Sequence, residues 1–395
     1  MTIDVSCVNI ASAGCTKVGE HYERSLRCLA AESVLSCMRN ATEGLVPQAL
    51  FASSFASEML VGQSAIGPLI IDAAGLPSNI PAFRIEGACA SGALAFQQAV
   101  ISLAAGRFDT VMVTGVEKMT DSTPAKTAQA LSSASDMEHE GHQGATFAAL
   151  NAMFASAYQK KYGVTPEQFA LFPVNSHDNA VTNDYAQLRN RITVGDVVSS
   201  PVVCPPLRLL ECCPVSDGAC SVLLTTKRSE SSETCVNVKG MGCATDTLSV
   251  ADRTDFTGLL ASRLAARRAL EDAGMKGVSG IDVLEVHDAF SIMGVLALED
   301  LGFAGKGKAC EFVESGGIKR DGGMIPTNTF GGLKARGHPV GATGLYQISE
   351  LFQQLKGKAG KAQVRDARCG MAQSIGGVGS TAAVTVLESK SEGVR

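Results

Sequence analysis

The chain has 395 residues, of which 45% are hydrophobic, and carries a formal net charge of −5. This is enough apolar content to bury a large core in two or three domains, and the acidic balance excludes nucleic acid as the main partner. Its thirteen cysteines, an odd number with no C-x-x-C pair, indicate neither a disulfide framework nor a zinc site, and no apolar run approaches the roughly 20 residues of a membrane span. The expectation is a cytoplasmic protein with reduced thiols.

The opening MTIDVSCVNIAS reads as a strand rather than a signal peptide. A helix near residues 24–39, a strand near 48–55 and a helix near 56–74 follow. In IEGACASGALAFQQAV, residues 85–100, a strand-like run ends and a nearly all-apolar helix pattern begins, with Cys89 at the junction. A cysteine there meets the positive end of the helix dipole and unpaired amides, which favour thiolate, whereas a buried structural cysteine is the plainer reading. A buried strand at 109–117 completes the first unit.

Residues 118–204 break the plan, being rich in small, polar and turn-forming residues, and read as an inserted loop domain. Lys160, Lys161, Arg189 and Arg191, with Arg208 just beyond, are read as solvated charge rather than assigned phosphate contacts. After PPLRLLECCPVSDGACSVLL at 205–224, a second unit repeats the first. A strand at 236–244 is followed by a helix from Phe256 to Ala273 with Gly274 as its C-cap, the strand IDVLEVHDA at 281–289, and a helix from Phe290 to Leu301. His338 then precedes a helix as Cys89 does, among Gly337, Gly341 and Gly344, which allow close backbone approach. Strands near 368–375 and 381–387 end the chain. Alternating strands and helices predict two α/β halves with mostly parallel sheets. A thiolate nucleophile needs an imidazole to take its proton, and two glycine-lined helix starts, one with Cys and one with His, suit such a pair. No G-x-G-x-x-G lies between a strand and a helix, so no nicotinamide cofactor is expected.

GACASGA, GGLKARGHPVGATG, LEVHDAFS and QSIGGVGS, with the 205–224 segment, resemble the ordered motifs of the thiolase family, in details closest to sterol-carrier-type and archaeal acetoacetyl-CoA thiolases. The resemblance implies a five-layered α-β-α-β-α fold. Its parts would be an N-terminal half over 1–117 plus 205–233, a loop domain over 118–204 covering the site, and a C-terminal half over 234–395. It also implies an acyltransferase making or cleaving a 3-ketoacyl-CoA such as acetoacetyl-CoA. In that reading Cys89 is the nucleophile, His338 its base, His287 a holder of the thioester oxygen, and Gly376 an oxyanion donor. Coenzyme A thioesters are substrates, and no separate cofactor or metal is implied. A homodimer or dimer of dimers, with nucleophile-half sheets paired, and a small zinc-binding OB-fold partner are the implied assemblies.

The chain departs from the family where a second cysteine usually abstracts the α-proton: Ala289 and Ser374 stand at those positions. Serine without an activator is too weak a base and alanine has no proton to give. Cys369, five residues before Ser374, should point to the opposite face of its strand. The base is left among His287, a water and a partner's side chain. Two other readings follow: a decarboxylating ketosynthase-like enzyme, whose Cys-His-His set needs no such base, and a non-thiolytic lipid-binding or aldolase-like relative.

Overall fold

The computed structural model describes residues 4–227 and 235–390. Its first half runs β1 (Asn9–Cys15), α1 (Leu26–Arg39), β2 (Leu50–Ser53), α2 (Ser57–Val61), α3 (Ile66–Ala74), β3 (Ala82–Ile85), α4 (Ser91–Ala104) and β4 (Thr110–Glu117). An insertion carries α5 (Pro124–Ser132), α6 (Phe147–Tyr162), α7 (Pro166–Ala180), α8 (Val194–Ser199) and the short pair β5 (Val202–Cys204) and β6 (Leu207–Arg208). Strand β7 (Gly218–Thr225) returns to the first half. The second half comprises β8 (Cys235–Thr245), α9 (Leu260–Asp272), β9 (Val283–Glu285), α10 (Ser291–Asp300), α11 (Ala309–Glu314), α12 (Thr343–Leu355), β10 (Cys369–Gly376) and β11 (Thr381–Lys390).

The two halves share one strand order and one polarity pattern. In the first, β1 is antiparallel to β7, β7 is antiparallel to β4, and β4, β2 and β3 run parallel. In the second, β8 is antiparallel to β11, β11 is antiparallel to β10, β10 is parallel to β9, and a parallel bridge from Leu284 to Thr327 stands where a fifth strand would. Pairing of Asn9 with Asn237 joins the halves into the order β3-β2-β4-β7-β1-β8-β11-β10-β9. The sheets are therefore mixed, which corrects the expectation of mostly parallel ones. The strand after the insertion and the two closing strands return by antiparallel pairing, which the helix–strand alternation did not reveal.

Helices α4 and α12 lie between the half-sheets, with α1 and α3 on the outer face of one and α9 on that of the other, giving five layers. The two central helices meet through glycine. A Cβ on Gly344 would stand 2.4 Å from the Ala93 nitrogen, and one on Gly92 would stand 3.1 Å from the Gly341 oxygen. Cys89 and His338 thus enter the middle layer at equivalent places in the duplicated topology, each at the start of the helix that precedes the fourth strand.

Two local expectations change. The helix expected over 56–74 is two helices, because Gly62 and Ala65 adopt left-handed backbone conformations between them. The insertion, expected to be loop-like, is largely helical. Its threonines look like loop residues in sequence, but Thr123, Thr146, Thr165 and Thr193 each cap a helix by accepting a backbone N–H. Phe172 of α7 lies against Gly294 of α10, and Met119, Ala130 and Ala134 of the insertion cluster with Cys89. The boundary expected at residues 233 and 234 falls outside the described residues.

Candidate active site

Cys89 sits in a single 3-10 turn, Ala88–Ala90, between β3 and α4. Ala88 holds φ 51°, a left-handed conformation costly for a residue with a side chain, which marks the turn as a constrained elbow. The Ser91 hydroxyl braces it, accepting from the Gly87 amide at 3.0 Å and donating to the Ala88 carbonyl at 2.5 Å. Backbone amides of Gly377 and of Cys89 itself point at the sulfur. These donors favour thiolate, yet burial outweighs them: Cys89 is 2% exposed, and burial with the nearby Glu117 carboxylate pushes its thiol up to about 12. Burial thus opposes the preformed thiolate expected from the helix dipole.

Glu117, at the end of β4, ties the two motif loops together. Its carboxylate accepts from Ser54 Oγ (2.8 Å), the Phe55 and Ala56 amides (2.8 and 3.1 Å) and the Gly341 amide (2.9 Å) in the loop behind His338.

The hydrogen bonds of His338 fix its tautomer. Thr343 Oγ1 donates to the Pro339 carbonyl at 3.0 Å, so its 2.7 Å bond to His338 Nδ1 must be accepted from the ring N–H. Nε2 is left with its lone pair, in the state a base requires. His287 has the opposite arrangement. Its Nδ1 accepts the Ile375 amide at 3.4 Å, which places the proton on Nε2 as a donor. Its backbone amide donates to Gln373 Oε1 at 3.0 Å, anchoring the loop after β9 to β10.

Both rings are held neutral. Burial brings His287 down to about 3, helped by the Arg336 charge; burial, His287 and Arg336 hold His338 well below its ordinary range. Arg336 is itself 1% exposed, with Nε 3.2 Å from Glu350 and the guanidinium 4.9 Å from the Tyr346 ring centroid. The imidazoles stand at right angles, with centroids 5.0 Å apart. Cys89 Sγ and one nitrogen of each histidine lie within 4.8 Å of one another. Sulfur and imidazole are donors that zinc accepts, and these three atoms are the ones such an ion would take.

Gly376 ends β10 with its Cα against Gly87, where a Cβ would meet the Gly87 oxygen at 2.2 Å. The amide turned toward the sulfur belongs to Gly377, one residue further along. Ala289 is buried beside His287, and the buried Ser374 Oγ has no hydrogen-bond partner among the described residues. Cys369 begins β10, within the fields of Lys239 and Glu388 rather than near the trio. Of the cationic side chains singled out in sequence, Arg189 pairs with Asp184, Arg191 with Asp178, Lys161 donates to Thr257 and Arg208 to the Ser200 carbonyl. A cleft of about 900 Å³ lies elsewhere, beside β1 and α12, and contains none of the trio.

Sequence reasoning passed over Thr343, Glu117 and Gln373. A hydroxyl five residues after a histidine, an acid closing an apolar strand and a glutamine inside one were the available signals, and each becomes informative only once its partner is known.

A buried thiol before α4, an imidazole before α12 and a second imidazole in the loop after β9 meet within a duplicated α/β architecture. A family model for the thiolase N-terminal domain matches residues 8–228, and one described as thiolase C-terminal domain-like matches residues 242–389. The chain belongs to the thiolase family. It is 43% identical to an acetyl-CoA acetyltransferase of Methanothermobacter thermautotrophicus, over 97% of this chain and 99% of that one. It is also 32% identical to sterol carrier protein 2 of Gallus gallus, over 78% of this chain and 58% of that protein. In fold it is similar to the Ltp2-ChsH2(DUF35) aldolase, with TM-score 0.84, 23% identity and full coverage of both chains. No described helix is long and apolar enough to cross a membrane.

Proposed function

We propose that this protein is an acyltransferase that makes or cleaves a 3-ketoacyl-CoA, such as acetoacetyl-CoA, through an acyl-Cys89 intermediate. The observation that carries the reading is the trio itself: a thiol, an imidazole with a free lone pair and an imidazole with a free N–H, all within 4.8 Å. With both members of the Cys89–His338 pair neutral at rest, proton transfer to His338 Nε2 accompanies attack of the sulfur on the thioester carbonyl. The oxyanion takes backbone N–H donors from the Cys89 turn and from the Gly376–Gly377 turn. His338 returns the proton to the departing coenzyme A sulfur. The second acyl-CoA then places its thioester oxygen on His287 Nε2–H, where the enolate charge develops.

Membership of the family and 43% identity to an acetyl-CoA acetyltransferase support this reading. A second reading, decarboxylative condensation of a malonyl-type donor, is favoured by one observation: Ala289 and Ser374 occupy the positions where an α-proton base is expected. A non-thiolytic, aldolase-like role draws support from the fold likeness to an aldolase. Supplying acetoacetyl-CoA with free coenzyme A, and malonyl-CoA separately, decides among them. Cleavage of the first supports the proposal; use of malonyl-CoA alone supports the ketosynthase-like reading, and use of neither leaves the aldolase-like one.

Assembly belongs to the same proposal. Strand β3 is the outer edge of the first-half sheet, with Phe83 exposed, and suits sheet-to-sheet pairing in a homodimer. The likeness to an aldolase named with a DUF35 component is the support for a small OB-fold partner.

A further inference from the structure

We propose that Cys213, acting with Lys334, is the acid/base unit that moves the α-carbon proton, in place of the groups missing at positions 289 and 374. This rests on the acyl-transfer reading above and supplies the step that reading leaves without a residue.

Three features place Cys213 at the reacting centre. Its amide donates to the Ala289 carbonyl at 2.8 Å, so it lies directly beside one of the positions that lacks a base. Its neighbours bridge to both histidine loops, Cys212 pairing with Phe290 and Val215 with His338. The sulfur is also within the electrostatic field of Cys89. The segment 212–215 therefore spans the gap between the two catalytic imidazoles.

Lys334 gives the thiol a proton partner. It lies in the π-turn Gly332–Arg336 that leads to His338, is 3% exposed, and makes no hydrogen bond or ion pair among the described residues. The adjoining Leu333 amide donates to Asp288 Oδ1 at 2.6 Å, which sets this turn against the loop that carries His287 and Ala289. The charges felt by its ammonium are those of Cys213, Cys212 and Asp288. An ammonium in this enclosed setting stabilises a negative charge formed beside it, and a Cys213 thiolate formed during the reaction would gain from it. Burial lowers Lys334 and raises Cys213, so thiol with amine and thiolate with ammonium become competing forms of one shared proton. Ser374 Oγ makes no hydrogen bond among the described residues, and Cys369 lies in the fields of Lys239 and Glu388.

In condensation, Lys334 as amine takes the Cys213 thiol proton while the sulfur takes a proton from the acyl-CoA α-carbon, and Lys334 returns its proton to Cys213 at the end of the step. The C–H electron pair becomes the enolate, its oxygen held by His287 Nε2–H. The enolate carbon bonds to the acyl carbon on Cys89, the C–S bond breaks, and Cys89 leaves as thiolate. The proton on Cys213 passes to that sulfur through His338, so the α-proton ends on Cys89. Cleavage is the reverse, with the Cys213 thiol protonating the departing carbanion.

Acetyl-CoA in deuterium oxide tests this, with acetyl-Cys89 read by mass spectrometry and C2 deuteration by NMR on one sample. Cys213→Ala is expected to form acetyl-Cys89 as wild type does, yet to lose C2 deuteration and acetoacetyl-CoA cleavage by roughly 10² or more, the range of general acid–base contributions. Lys334→Met should act in the same direction. Deuteration by Cys213→Ala within threefold of wild type overturns the proposal while leaving acyl transfer intact; absence of acetyl-Cys89 in wild type overturns the underlying reading instead. Should Cys213→Ala fail to fold, Cys213→Ser decides by the same two readouts, retained exchange counting against the proposal.

Discussion

His287 and His338 face each other edge to face at 5.0 Å with opposite tautomers, one offering an N–H and the other a lone pair. Each tautomer is set by a group behind the ring: the Ile375 amide for His287 and the Thr343 hydroxyl for His338. Because the rings are of one chemical type, these rear contacts alone separate a donor from a base.

Thr343→Val removes the acceptor for His338 Nδ1–H and lets the ring take the wrong tautomer. Acylation of Cys89 should fall by roughly 10 to 100-fold, the scale on which supporting hydrogen bonds to a functional imidazole act. Thr343→Ser should retain most of the rate. Equal rates for the valine variant and wild type, measured by single-turnover acylation, would remove Thr343 from the account.

Alkylation of Cys89 should report a thiol, not a preformed ion pair. With the thiol near 12, the thiolate fraction rises about tenfold per pH unit through the neutral range, so the logarithm of the iodoacetamide rate should climb with unit slope from pH 6 to 9. A plateau across that window is the signature of a thiolate–imidazolium pair, and it would contradict the burial argument.

Acid stability should carry the mark of His287. Its folded value, about 3, lies below the unfolded value of roughly 6.5, so the unfolded chain binds the proton first as pH falls. This contribution is intact above about 6.5 and erodes toward 3, by at most about 1.4 kcal/mol per pH unit. His287→Asn has no proton to bind. Denaturant unfolding at pH 6.5 and 5 should show the difference between variant and wild type moving toward the variant by up to about 2 kcal/mol. Parallel pH profiles would show that His287 is not buried neutral.

Gly344→Ala should disturb the site from behind. Its Cβ would stand 2.4 Å from the Ala93 nitrogen, a clash with backbone that only separation of α4 and α12 relieves. A loss on the order of 1–3 kcal/mol from overpacking is expected, with slower acylation, because separating the helices also parts Cys89 from His338. Gly357→Ala is the control: that glycine has φ +67° and nothing within 4 Å of its Cβ direction, so the variant should carry backbone strain without slowed acylation. Unchanged melting and acylation in Gly344→Ala would show that the crossing is looser than described.

How much could be read from sequence depended on how local each signal was. Cys89 and His338 stood out because each sits at a glycine-flanked helix start, a pattern contained in a few consecutive residues. The duplication was visible as two runs of alternating elements, but strand polarity was not, since antiparallel return depends on where β7, β10 and β11 come to rest. The helices of the insertion were not legible because threonine caps and loop threonines look alike until the helix behind them is seen. Gly376 was assigned as an oxyanion donor from a motif, while the Gly377 amide beside the sulfur depends on how the turn after β10 is wound and was not legible. Cys213 was hidden because its meaning lies in a residue more than 70 positions away, Ala289.

The most direct test of the central claim is to quench the protein during turnover with acetyl-CoA and map the adduct by peptide mass spectrometry. The account predicts one acetyl group on Cys89 in wild type, none there in Cys89→Ala, and its formation slowed by roughly 10² or more in His338→Ala, as loss of a general base requires. Acetyl on another residue, or equal labelling of Cys89 with and without His338, would contradict it.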